Sequence, residues 1–174
     1  ESPTMVPMRG DRCAVKDVYA RPAEDLAPAL SAGEDVVTLC EGDPFFYGSF
    51  MYLYERLSGS FPCEIVPGVT SLTACAARLG RPLTARNDVL TVIPGPLADA
   101  EIAARIEAAG AVAIMKVGRH LERLKKLISG LGLLGHAGYV ERATLASEKA
   151  MPLAQVNDAS APYFSMILIY KGDE

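Results

Sequence analysis

The sequence contains no tryptophan, only two histidines, and just four cysteines in 174 residues. Cys13, Cys40, Cys63 and Cys75 are widely spaced, and neither His120 nor His136 stands at ligand spacing from any of them, which excludes the zinc-module patterns. The thiols are expected to be reduced and buried. Basic runs are missing too: 17 Lys and Arg face 21 Asp and Glu, for a formal charge of −4. The footprint of a nucleic-acid binder is therefore absent, and an anionic ligand has to meet a local basic patch. The strongly apolar stretches, such as Met166 to Tyr170, are far too short to span a bilayer, and no charged-then-apolar segment opens the chain, so a cytoplasmic location is expected. With neither a P-loop nor a G-x-S-x-G elbow, nucleotide-triphosphate enzymes and serine hydrolases lose their main signatures.

Half of the residues are apolar and 22% are charged, enough for one sizeable core or two small ones. Glu1 to Asp17 mixes prolines with charges and reads as a looped entrance without a strand. A helix is predicted over Pro22 to Leu30, with Gly33 as its stop, and then a short strand from Val36 to Cys40. That strand breaks in Glu41-Gly42-Asp43-Pro44, and Phe50, Leu53, Tyr54 and Leu57 form the apolar face of a following helix. The pattern repeats with a strand at Cys63 to Val66, a break at Pro67-Gly68 and a helical stripe through Leu72, Cys75, Ala76 and Leu79. Two consecutive strand-loop-helix units imply parallel strands.

Gly80 and Pro82 end that helix, and the polar stretch to Asp88 reads as a linker. Two α/β domains are expected, residues 1–86 (partial) and 87–174. In the second, strands are predicted at Val89 to Ile93, Ala111 to Val117, Tyr139 to Glu141 and Phe164 to Tyr170, with helices around Ile102 to Ile106 and Leu121 to Ile128. The tract between the last two strands reads as loop. Gly130-Leu131-Gly132-Leu133-Leu134-Gly135 spells G-x-G-x-x-G, but it follows a helix and precedes a strand, the reverse of a dinucleotide site; its glycines are expected to stop the helix.

Loops leaving the carboxyl ends of parallel strands are where open α/β sheets bind ligands, which makes Glu41-Gly42-Asp43-Pro44 the first candidate site. Gly42 permits close backbone approach, Pro44 fixes its own φ, and Asp43 supplies an acceptor. By chemistry alone a plain tight turn is an equal reading.

The run Glu41-Gly42-Asp43-Pro44-Phe45-Phe46-Tyr47-Gly48-Ser49-Phe50-Met51-Tyr52 resembles the first loop and helix of the tetrapyrrole methyltransferases, especially the branch acting on precorrin-2 at C20. Four further blocks resemble the family in the same order: Ile65 to Ser71, Ile114 to Arg119, Tyr139 to Thr144 and Pro162 to Ser165. The resemblance implies a tetrapyrrole methylase fold whose two α/β domains hold S-adenosylmethionine (SAM) in the cleft between them. The family's N-terminal strand and its glycine- and proline-rich loop are expected to be missing from this sequence.

Carried over by position, the resemblance places SAM against Gly42, Asp43 and Phe46, against Thr70 and Ser71, and against Met115 and Ala143. Asp43 is also the candidate catalytic residue, as the group that arranges the first loop around SAM and substrate. A multiply carboxylated tetrapyrrole calls for fixed cations, and Arg81, Arg86, Lys116, Arg119 and Arg142 are grouped with the cleft loops, four of them, the arginines, as substrate-binding candidates. The implied activity is methyl transfer from SAM to a meso carbon in cobalamin biosynthesis, precorrin-2 to precorrin-3A, by a metal-free homodimer. Another precorrin or uroporphyrinogen methyltransferase, or a non-catalytic α/β binding module, are the alternatives.

Overall fold

A computed structural model describes residues 18–172; the looped entrance expected for Glu1 to Asp17, and Cys13 with it, lie outside the described residues. The chain divides into two compact units, Glu1–Thr70 and Ser71–Glu174.

In the first unit, α1 (Ala20–Ser31) packs against α2 (Met51–Leu57). Tyr19, Ala23 and Leu53 are buried between them, with Leu26, Phe50 and Leu57 around the rim. The stop predicted at Gly33 is present: at φ +81 it turns the chain so that its N–H reaches the Leu30 carbonyl at 3.0 Å and the Glu34 N–H reaches that of Ala29 at 3.1 Å. A left-handed residue after the last turn satisfies carbonyls that the helix leaves unpaired, and glycine takes that conformation without a Cβ penalty.

The two strands expected here do not form. Residues 36–40 and 63–66 belong to no sheet, and Val37, Leu39 and Val66 are 81%, 90% and 73% exposed. Their composition suits a strand, but a segment of four or five residues gains stability only from a paired neighbour and a covered apolar face. The parallel pairing inferred from the repeated pattern is accordingly not seen in this unit. Cys40 and Cys63, expected to be buried, are exposed for the same reason.

The second unit is built on one five-stranded sheet: β1 (Leu90–Pro94), β2 (Ala111–Met115), β3 (Ala137–Glu141), β4 (Lys149–Pro152) and β5 (Ser165–Tyr170). The spatial order is β1-β2-β5-β3-β4; only β1 and β2 pair in parallel, and β5 runs antiparallel between β2 and β3. β2 and β3 are buried along their whole length apart from a partly covered Met115, which explains their unbroken apolar character. Helix α3 (Ser71–Leu79) covers β3 and β4 and buries Leu72, Cys75 and Ala76. Burial pushes the Cys75 thiol up to about 11, so it is inert. Gly138 makes the close fit possible, since a Cβ there would stand 2.6 Å from Leu79 Cδ1.

Helices α4 (Asp99–Ala108) and α5 (Leu121–Gly130) bury Ile102, Ile106, Leu121, Leu124 and Ile128 in the main core, beside Ile93, Ile114 and Ile167. The G-x-G-x-x-G run ends α5 as expected: Gly132 lies at φ +74 and the Leu133 N–H returns to the Ile128 carbonyl at 3.0 Å.

Leu124 is wholly buried and Leu145 is 56% exposed. Urea unfolding is therefore expected to show a loss of about 2–5 kcal/mol for Leu124→Ala and a change within about 0.5 kcal/mol for Leu145→Ala. Equal effects would contradict this placement of the core.

Candidate functional site

The first-unit part of the site is a pair of loops joined by one carboxylate. Asp43 Oδ1 accepts the Phe45 N–H at 2.9 Å, an Asx turn within its own loop. Its Oδ2 accepts the Gly68 N–H at 3.0 Å, 25 residues along the chain. The two backbones meet directly: a Cβ on Gly68 would lie 2.3 Å from the Gly42 carbonyl oxygen, and Gly42 itself sits at φ +82. Phe45 packs edge-on against Tyr54 at 5.2 Å, which seats the first loop on α2, while Phe46 is partly buried beside Tyr47. Thr70 follows the second loop, and Ser71 opens α3 as its exposed first residue. Gly42, Asp43 and the segment leading to Thr70 are thus brought together.

The second-unit part is one edge of the sheet. Because β2 and β3 both run antiparallel to β5, their carboxyl ends flank its start: Met115 pairs with Met166, and Glu141 with Ser165. Met115 and Ala143, both partly buried, therefore share this edge. Lys116, Arg142 and Thr144, all at the strand ends, have φ of +56, +48 and +68. Such backbone costs about 1–3 kcal/mol per residue and persists where its surroundings impose it, often at ligand sites.

Arg119 stands in the 3-10 turn after β2 and Arg142 directly after β3, at the same edge. Arg81 and Arg86 do not join them. Arg81 donates to the His136 carbonyl at 3.3 Å, at the amino end of β3, and Arg86 precedes the start of β1, so both lie at the opposite end of the sheet.

Glu141 escaped the sequence reading as an individual residue. Its side chain is buried, yet it accepts the Tyr139 hydroxyl at 2.6 Å and ion-pairs with Arg142 at 3.2 Å and Lys149 at 3.3 Å. Burial, and then the bond to Glu141, push the Tyr139 phenol far up, while Glu141 raises Lys149. The signal available was a charge closing the otherwise apolar strand Ala-Gly-Tyr-Val-Glu. Among the described residues no group of three His, Cys, Asp or Glu could hold a metal ion, and no helix is long and apolar enough to cross a membrane.

These features define an α/β protein of two units, one offering a glycine-lined double loop and the other a strained, cation-bearing strand edge. Residues 2–156 match the family model of the Tetrapyrrole (Corrin/Porphyrin) Methylases, and the chain belongs to that family. It is 43% identical over 155 residues to a precorrin-2 C(20)-methyltransferase of Sinorhizobium sp, covering 89% of this chain and 63% of that protein. It is 35% identical to the cobalt-precorrin-2 C(20)-methyltransferase of Salmonella typhimurium, covering 95% of this chain and 70% of that one. Among solved structures, uroporphyrin-III C-methyl transferase from Thermus thermophilus, complexed with S-adenyl homocysteine, shares the fold with a TM-score of 0.60 at 23% identity over 88% of this chain and 74% of that one. The chain thus spans less than two thirds of the length of the Sinorhizobium relative.

The bonds from Gly68 and then Phe45 hold the Asp43 carboxyl below its ordinary value of 3.8, against a smaller opposing effect of desolvation. A carboxylate with a depressed folded pKa contributes stability that is present above its unfolded pKa and is lost as pH falls through the folded value. The Gly68 amide resonance is therefore expected to move with a midpoint below 3.8 as the pH is lowered. A midpoint at or above 3.8 would contradict the Asp43–Gly68 bond.

Proposed function

We propose that this chain forms the SAM-binding and substrate-binding part of a SAM-dependent methyltransferase that methylates precorrin-2 at C20 in cobalamin biosynthesis. The observation that carries the reading is the double loop: the block Glu41 to Tyr52 and the block Ile65 to Ser71, which match the family in sequence, are the segments that Asp43 ties together. The identity to precorrin-2 C(20)-methyltransferases supports the choice of substrate and carbon.

The residues present fit SAM. Gly68 lets the two loops close backbone to backbone and Gly42 turns at φ +82, so the pair offers main-chain groups to an uncharged adenosine moiety, and Thr70 and Ser71 add small hydroxyls. Phe46, Met115 and Ala143 are partly buried apolar surfaces for its remaining contacts. When bound, SAM supplies an electrophilic methyl group, and the meso carbon of a reduced tetrapyrrole is electron-rich enough to accept it without an activated protein nucleophile. The protein's task is alignment and exclusion of water, a proximity effect. In this reading Asp43 acts by holding both loops in register, and Arg119 and Arg142 meet substrate carboxylates. Arg81 and Arg86, at the far end of the sheet, are left out of the substrate site. A homodimeric state and a cytoplasmic location complete the proposal.

Methyl transfer from labelled SAM to precorrin-2 by the complete purified protein tests it. Turnover confined to precorrin-2 is expected; SAM binding with turnover only on another tetrapyrrole would overturn the substrate, and SAM binding with no turnover on any would favour a binding module. Asp43→Asn keeps the size of the side chain and loses its charge. It is expected to slow methyl transfer on the order of tenfold to a hundredfold, the scale of an ångström's misplacement, with little change in Tm. Near-normal turnover would remove Asp43 from the site.

A further inference from the structure

Ala143 is flanked by the only two described non-glycine residues with positive φ that stand one residue apart, Arg142 and Thr144. For Thr144, which is β-branched, φ +68 is a conformation rarely adopted without external support. The support comes from Glu148. Its Oε2 accepts the Thr144 N–H at 2.5 Å, and its Oε1 accepts Arg78 Nε at 2.7 Å, so the carboxylate bridges α3 and the turn after β3. Leu145 N–H to the Arg142 carbonyl and Glu148 N–H to the Leu145 carbonyl, both 3.0 Å, close the rest of the turn. The Glu148 side chain is 13% exposed, and the Thr144 bond, followed by Arg78, holds it below the usual carboxylate range.

Glu148 and Arg78 touch neither Met115 nor the β3–β5 ladder in any hydrogen bond given by the structure; what they fix is the turn that carries Ala143. We propose that Glu148, braced by Arg78, is a positioning residue for the methyl donor, holding the strained Arg142–Thr144 turn in the conformation that presents Ala143 to SAM. This rests on the reading above that Ala143 lines the SAM site. The energetic logic is that of a competent state maintained against its own strain. Without the brace the turn relaxes, and affinity falls in proportion to the fraction still competent.

Calorimetric SAM titration of the unaltered protein, Glu148→Ala, Glu148→Gln and the double variant Glu148→Ala/Thr144→Gly tests this, with Thr144 amide exchange and Tm measured alongside. If the brace keeps the turn competent and its loss leaves about one molecule in ten so, Glu148→Ala weakens SAM binding about tenfold and speeds Thr144 exchange. Glu148→Gln retains an acceptor for the Thr144 N–H and recovers most of the affinity. Glycine at 144 removes the steric strain, so the double variant is expected to bind more tightly than Glu148→Ala alone. A purely structural role would lower Tm and leave the affinity of the folded protein unchanged, which would overturn the proposal. If Glu148→Ala does not fold, Arg78→Gln takes its place, with weakened SAM affinity expected and unchanged affinity overturning. Failure of the unaltered protein to bind SAM overturns the functional reading and this proposal with it, whereas unchanged affinity in the variants overturns this proposal alone.

Discussion

A single carboxylate accepting two backbone N–H groups from different loops is the constraint on which the first-unit site depends. Asp43 closes its own turn through Phe45 and takes hold of Gly68, and the loops can close because Gly68 carries no side chain where the backbones meet and Gly42 takes a φ of +82 that suits glycine. The chemistry sought at such a place is recognition by main-chain groups, which needs loops held still and close together. Asp43 supplies the holding, and the glycines supply the closeness.

The second unit uses the same physical device on a different frame. There Glu148 takes the Thr144 N–H and an arginine, and Glu141 takes a tyrosine hydroxyl and two cations. A buried carboxylate left without partners would be costly, so the three donors around Glu141 are a requirement of its burial as much as a functional feature. One consequence is geometric. Arg142 and Lys149 are tethered near β5's start, so this edge sets two cations beside Met115 and Ala143.

Much of the fold was legible because helices and buried strands leave local signatures. The apolar spacing through Leu121, Leu124 and Ile128, and the glycines after it, identified α5 and its end; the apolar runs at 111–115 and 165–170 identified β2 and β5 in the sheet's interior. The failures have one cause, which is that pairing is not local. Residues 36–40 and 63–66 have strand composition and no partner, while β4, Lys-Ala-Met-Pro, has a partner and almost no strand composition, being an exposed edge. Among the candidate site residues, the blocks carrying Gly42, Asp43 and Ala143 stood out as sequence. Glu141 and Glu148 did not, because their roles depend on donors that the sheet and α3 bring to them.

The central claim is that the site requires the two first-unit loops to touch backbone to backbone, and SAM titration of Gly68→Ala tests it most directly. A Cβ at this position would stand 2.3 Å from the Gly42 carbonyl oxygen, so the loops must separate by more than an atom's give. If the account is right, SAM affinity falls at least about tenfold, the loss of roughly one good hydrogen bond, while Leu124 and the second-unit core remain folded. Wild-type affinity in Gly68→Ala would contradict it.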